Sequence, residues 1–245
     1  MADPDLSLVL LGKAELPDAK ELLASPRFEG LGATVERLAA DQLVFGLGSG
    51  GHLLISLIET PPPELGPQAL FGSLSETALE EAKAHLIVAG IGLSGSRTER
   101  DAYFAQLVAA ILECSSSLGA SFGEGLCYQD AKFFTRAVDA ADGEVPVFLT
   151  VDITAAPEPG ERISFLTHGM GRYGREELFL TAPLSGEGAL PLMFELMHWL
   201  VTEPERAIRP GDTLGRTEDE RIPVQRSPSP IEGDPDVLRL DLEAD

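Results

Sequence analysis

The segment ERISFLTHGMGRYGREELFLTAP, residues 161–183, contains the clearest pair of strand patterns in the chain. Residues 162–168 and 176–181 read as two β-strands, separated by the glycine-rich sequence GMGRYGR at 169–175. Glycine adopts positive φ angles at little cost, so these glycines predict a tight connection between antiparallel strands. The connection would present the large side chains of Arg172, Tyr173 and Arg175.

Arginine and tyrosine are typical of protein-binding hot spots, so we predict an interaction surface on this hairpin. The candidate interaction residues are Arg162, Met170, Arg172, Tyr173 and Arg175. The alternative is that neighbouring glutamates, Glu161, Glu176 and Glu177, neutralise the arginines as cross-strand pairs that contribute little each.

Further elements are predicted on both sides of this hairpin. A strand over residues 145–153 and a turn at 157–160 would complete a three-stranded antiparallel meander. Pro191 lies near the start of a helix over residues 192–201 that is apolar on almost every side, which indicates burial. Residues 203–245 are acidic and rich in proline, so we predict an irregular acidic tail. Its alternating end, VLRLDL at 237–242, is suited to adding a strand to a sheet edge, in this molecule or another.

The N-terminal part of the chain has the pattern β-α-β-β-α-β. Strands are predicted at 6–11, 42–48, 52–59 and 86–92, with helices beginning at Asp18 and near Ser73 or Ser75. This order is that of a ferredoxin-like fold over residues 1–95.

A second α+β part is predicted over residues 96–202. Ser96 and Glu99 form a capping box before a long apolar-faced helix, and Asp130 is placed to cap a shorter one. The predicted class is therefore α+β, with a ferredoxin-like half (1–95), a helix-bracketed antiparallel sheet (96–202) and an acidic tail (203–245).

The net charge of −22 bears most directly on partners. Such a surface repels nucleic-acid backbones and anionic lipids, so neither is an expected partner, whereas a basic protein would be attracted. The alternative is that the charge serves solubility alone. The N-terminus has no basic leader, and no apolar run reaches membrane-spanning length. The two cysteines, Cys114 and Cys127, do not have the spacing of a redox or zinc motif. We therefore expect a cytoplasmic protein.

Several motifs in the sequence have catalytic or binding associations as well as simpler structural interpretations. The pattern GxGxxG occurs at Gly46 and at Gly169, but each copy leads into a strand, whereas a dinucleotide site needs a helix. Ser94, Asp152 and His168 follow the chain order of an α/β-hydrolase triad, although Ser96 replaces the second glycine of the nucleophile motif.

Metal and cofactor sites are not indicated by the sequence. Glu195 and His198 have the spacing found in carboxylate-bridged metal sites, but those sites use two such pairs and this chain has one. The four histidines never pair at ligand spacing. We predict neither a metal nor a cofactor.

The segment of residues 145–201 contains a short motif: Thr167-His168-Gly169-Met170, a glycine-containing loop, Glu176-Glu177-Leu178 and a helix led by Leu190-Pro191. With this motif the segment resembles a bacterial family of cytosolic proteins of unknown function and, more loosely, the suppressor-of-fused-like domains found beside toxin and immunity genes. The resemblance implies a binding or immunity role without defined catalytic residues.

The leading prediction is a non-enzymatic protein-interaction module, an adaptor or immunity protein; the alternative is a small serine hydrolase. The sequence leaves the oligomeric state open.

Overall fold

The computed structural model describes residues 5–65, 69–123, 125–185, 188–215, 217 and 220–242. These residues form six α-helices and thirteen β-strands, and the strands form two sheets, so the protein is of the predicted α+β class. The chain divides into two compact units. The first comprises Met1–Gln68 and Gly72–Thr150, and the second comprises Ala69–Phe71 and Val151–Asp245. The predicted boundary at Gly95 falls inside the first unit.

A seven-stranded antiparallel sheet forms the first unit. Its strands are β1 (Asp5–Leu11), β2 (Thr34–Leu38), β3 (Gln42–Gly46), β4 (His52–Ile58), β5 (Ala84–Ile91), β6 (Ser117–Phe122) and β7 (Gln129–Asp130). They lie side by side in the order β2-β3-β4-β5-β1-β6-β7. The strands β1 and β5 lie inside the sheet, which agrees with their nearly continuous apolar sequences.

The predicted ferredoxin-like topology is not what this sheet has. That topology would place β1 beside β4, but β5 lies between them and pairs antiparallel with both. The two predicted helices, α1 (Ala19–Ala24) and α2 (Glu76–Glu81), are six residues each. They are too short to serve as the long crossovers that connect parallel strands.

Longer helices cover one face of the first sheet. They are α3 (Arg97–Glu113) and α4 (Ala131–Ala140), followed by the single turn α5 (Val147–Thr150). The predicted capping box at α3 is confirmed: the Glu99 amide donates to Ser96 Oγ at 3.3 Å, and the Ser96 amide donates to Glu99 Oε2 at 2.8 Å. The main core lies between these helices and the sheet, and its fully buried members include Val9, Leu53, Leu86, Phe104 and Ile111.

Local predictions in the first unit have mixed outcomes. Asp18 and Asp130 cap α1 and α4 as predicted, while Ser75, not Ser73, caps α2. The strand β2 was not predicted, because all five of its residues are exposed and it lacks an apolar face.

The second unit is built on a six-stranded mixed sheet. Its strands are β8 (Asp152–Glu158), β9 (Arg162–His168), β10 (Leu178–Pro183), β11 (Thr213–Leu214), β12 (Ile222–Ser227) and β13 (Val237–Asp241), in the order β11-β12-β13-β10-β9-β8. The predicted meander is present as β8-β9-β10. The strand predicted at 145–153 is wrong in its first part, where the chain forms α5. The predicted buried helix is confirmed as α6 (Ala189–Thr202), which packs against β10.

The C-terminal segment is more ordered than predicted. Its strand β13 lies parallel to β10, with Leu238 opposite Leu178 and Leu240 opposite Leu180. The strand β12 then pairs antiparallel with β13. The prediction of an irregular tail is therefore wrong for β11, β12 and β13, whereas the prediction that residues 237–242 join a sheet is confirmed within this chain.

Across the described residues, no helix combines the length and the apolar character that spanning a membrane requires.

Candidate functional site

The predicted interaction hairpin is organised around a buried carboxylate. Residues Met170–Tyr173 form a 3-10 turn flanked by Gly169 and Gly174, both at positive φ (118° and 69°). Glu177 accepts hydrogen bonds from the amides of Gly169 (3.0 Å) and Gly171 (3.3 Å) and from Thr167 Oγ1 (2.6 Å). Burial raises the pKa of Glu177 although these donors oppose the rise. The Glu177 carboxylate thus fixes the loop from its buried side.

Arg175 caps the C-terminal end of α6. Its guanidinium donates to the carbonyl oxygens of Leu200 (2.9 Å), Glu203 (3.1 Å) and Pro204 (2.9 Å). The last carbonyls of a helix have no partner within the helix, and a planar guanidinium can satisfy several together. Arg175 therefore has a structural role within the second unit.

The other four predicted interaction residues differ in their surroundings. Arg162 donates to Thr181 Oγ1 and to the carbonyl oxygen of Leu242, both at 3.1 Å, and so fastens β13 to the meander. Met170 is fully buried. Arg172 and Tyr173 are half-buried in the 3-10 turn. A partner contact through these two residues stays a prediction.

Two of the three predicted hydrolase residues are neighbours within the second unit. Asp152 and His168 are opposite each other on β8 and β9, and His168 Nε2 lies 2.9 Å from Thr154 Oγ1. Burial lowers the pKa of His168. Ser94 belongs to the first unit, just before the capping residue of α3.

The remaining motifs have a clear place in the fold. Both GxGxxG copies connect strands, as predicted. Glu195 and His198 are both exposed on α6. Over the described ranges, no group of three His, Cys, Asp or Glu side chains is arranged to hold a metal ion.

The first unit contains a cleft that no sequence motif indicated. It has a volume of about 470 Å³ and lies between α2, Tyr128 and the proline-rich segment of residues 61–65, which we call the strap. Leu74 and Tyr128 form its floor, where they pack on Leu10 of the sheet, and Leu65 and Leu79 add further apolar surface. A volume of this size is within the ~300–1,000 Å³ of typical ligand pockets.

Two hydrogen bonds fix the strap above this floor. Tyr128 Oη donates to the Pro63 carbonyl oxygen at 3.0 Å, and His85 Nδ1 lies 3.0 Å from the Thr60 carbonyl oxygen. Burial raises the pKa of Tyr128 to about 12, so its hydroxyl remains a donor at neutral pH. Three consecutive prolines, residues 61–63, further restrict the backbone. The cleft is therefore pre-formed.

The rim of the cleft is acidic. Glu64, Glu76 and Glu80 line it and are exposed, and no lysine or arginine is among its described lining residues. Glu76 and Glu80 are one helical turn apart on α2 and therefore lie on the same side of that helix. The cleft combines an apolar floor with a negative rim, which suits a ligand that is both apolar and positively charged.

Sequence reasoning missed this cleft because its walls are distant in the chain. Three consecutive prolines, taken by themselves, indicate only the end of a strand because they cannot donate to a ladder. Tyr128 lies in a glycine-rich segment that has no assignable pattern. A local signal exists at α2, where the apolar Leu79 packs against the buried cluster beneath the cleft.

Comparison with known proteins gave no relative: no family model, no curated protein and no solved structure matches this chain.

Proposed function

We propose that this protein is a non-enzymatic binding protein, and that the cleft of its first unit receives a basic and apolar segment of a partner protein. The observation that carries the proposal is the pairing of an apolar floor with a rim of three glutamates and no lining lysine or arginine among the described residues. The net charge of −22 supports it, because an acidic surface accelerates encounter with a basic partner. An adaptor or immunity role, as the sequence resemblance implies, is compatible with such a site.

The strap supports a binding role because it keeps the cleft open permanently and not only transiently. A site held open by Tyr128 and the prolines costs little conformational entropy when it is filled. The groups that line the cleft also favour recognition over catalysis. The phenol of Tyr128 is protonated and engaged with Pro63, and the three glutamates are exposed to solvent.

The proposal is tested with a fluorescent peptide that contains both lysines and leucines. We expect binding to the full chain that is lost when the lysines are replaced by glutamates or the leucines by serines. The double variant Glu76→Gln/Glu80→Gln should weaken binding about two- to thirtyfold at low salt, since each of two exposed ion pairs contributes roughly 0.2–1 kcal/mol. Its affinity should also depend less on salt than that of the unmodified protein.

The matched control is Glu15→Gln/Glu144→Gln, which removes the same charge from exposed positions of the first unit outside the cleft. Equal weakening by both double variants would mean that the peptide responds to overall charge and that the cleft is not its site.

A further inference from the structure

The face of the first sheet opposite its main core is apolar and partly uncovered. The strand register aligns its side chains in rows across β3, β4, β5, β1 and β6. One row runs Val44-Leu54-Ala89-Leu6, and the next runs Gln42-Ser56-Ile87-Leu8-Ser121. We call these two rows, with Ile91, the open face. Leu6 and Ile91 are each 45% exposed.

The open face continues into the cleft. A groove of about 390 Å³ is lined by Leu6, Leu8 and Ile87 of the open face and by Leu65 of the strap. Leu65 also lines the cleft. The next row of the same sheet face contains Leu10, on which the cleft floor packs. One apolar surface therefore runs from the acidic rim, past Leu65, onto the sheet.

The strands of the open face restrict how a partner can bind there. β5 is hydrogen bonded to β4 and β1, and β1 is hydrogen bonded to β5 and β6. No edge is available at this place for an added strand, so a partner must pack by its side chains. The opposite face of this sheet is already covered by helices, so the open face is the side of the sheet left for a partner.

Charge is distributed unevenly along this continuous surface. The cleft end carries Glu64, Glu76 and Glu80, whereas the part of the open face on β1 and β5 carries no Asp, Glu, Lys or Arg. Charged side chains return at the far edge, where Arg37 of β2 lies opposite Val44 and Glu36 pairs with His52. A complementary ligand is therefore basic at one end and apolar along the rest.

We propose that the bound segment is an amphipathic helix whose apolar face lies on the open face and whose lysine- or arginine-bearing end lies over the cleft. This inference rests on the proposed function of the cleft and adds the conformation and direction of the partner segment. Apolar side chains at i, i+3, i+4 and i+7 would contact Leu6, Leu8, Ile87 and Ile91.

The test uses a peptide of about 18 residues, or five helical turns, with leucines at that spacing and lysines at one end only. We expect it to gain helical circular dichroism on binding. The variant Leu6→Thr/Ile91→Thr should weaken binding about tenfold, since it removes apolar contact area from two side chains. Threonine keeps the strand propensity, and both positions are exposed, so folding should be preserved. The matched control is Val35→Thr/Leu38→Thr, which alters two exposed apolar residues of the edge strand β2 and should leave affinity within about twofold.

The outcomes separate this inference from the proposed function. If Glu76→Gln/Glu80→Gln weakens binding and Leu6→Thr/Ile91→Thr does not, or if bound peptide gains no helicity, the helix is refuted while the cleft proposal stands. If neither pair weakens binding, both proposals fail. If only Leu6→Thr/Ile91→Thr weakens binding, the basic end of the peptide has no role at the cleft. Both the proposed function and the proposed orientation are then wrong.

Discussion

At the scale of single residues, Arg175 illustrates how a side chain suited to a partner can serve the fold. Its three hydrogen bonds to the end of α6 predict that Arg175→Ala lowers the free energy of unfolding of the second unit by about 1–3 kcal/mol. Urea unfolding measures this change. Arg209→Ala is the control, because Arg209 is an exposed arginine of the same unit. Equal effects of the two substitutions would contradict the capping role.

His168 predicts a pH dependence of stability in the second unit. Burial holds its folded-state pKa below the unfolded value of about 6.5, so the folded state binds the proton less readily than the unfolded state. The contribution of His168 to the free energy of unfolding is therefore fully present above pH ~6.5. It decreases as the pH falls through the folded-state pKa, by at most about 1.4 kcal/mol per pH unit. Denaturant unfolding between neutral and mildly acidic pH should show this loss relative to His168→Gln. If the stability of the unmodified protein relative to His168→Gln stays constant or increases toward acidic pH, burial does not lower the pKa of His168.

At the scale of elements, the role of the strap in the cleft can be tested by a single substitution. Tyr128→Phe removes the hydrogen bond to the Pro63 carbonyl and keeps the aromatic ring in the floor. We expect a loss of about 1 kcal/mol in unfolding free energy and a several-fold weaker affinity for the lysine-leucine peptide, because the strap becomes less pre-organised. Tyr103→Phe, the same chemical change on α3 of the first unit and outside the cleft, should leave peptide affinity unchanged. An unaltered affinity in Tyr128→Phe would mean that the strap is not part of the binding site.

Elements whose patterns are local were predictable, and those that depend on distant partners were not. The capping box of α3, the apolar helix α6 and the hairpins β3-β4 and β9-β10 each have a complete signal within a short stretch. The C-terminal strands do not, since the acidic and proline-rich composition of the whole segment hides the buried residues Val224, Val237 and Leu240. The apolar run before β8 fits a buried strand or a helical turn equally well, and periodicity alone does not separate the two.

At the scale of the whole molecule, the order of strands in the sheets was the least predictable feature. The sequence indicates the succession of elements, but not that β5 separates β1 from β4 or that β6, more than a hundred residues along the chain, pairs with β1. The same limit explains the site. The cleft depends on contacts among the strap, α2 and Tyr128, whereas the predicted hairpin was conspicuous because its arginines, glycines and tyrosine are contiguous.

The two cysteines provide the most direct test of where a partner binds. Cys127 lines the cleft, and Cys114 follows α3, outside it, in the same unit. Alkylation of each thiol by N-ethylmaleimide, followed by mass spectrometry with and without the lysine-leucine peptide, measures the protection of both positions in one sample. Binding in the cleft predicts slower labelling of Cys127 and an unchanged rate at Cys114. Labelling of Cys127 that is unaffected at saturating peptide, or equal slowing at both thiols, would contradict the account.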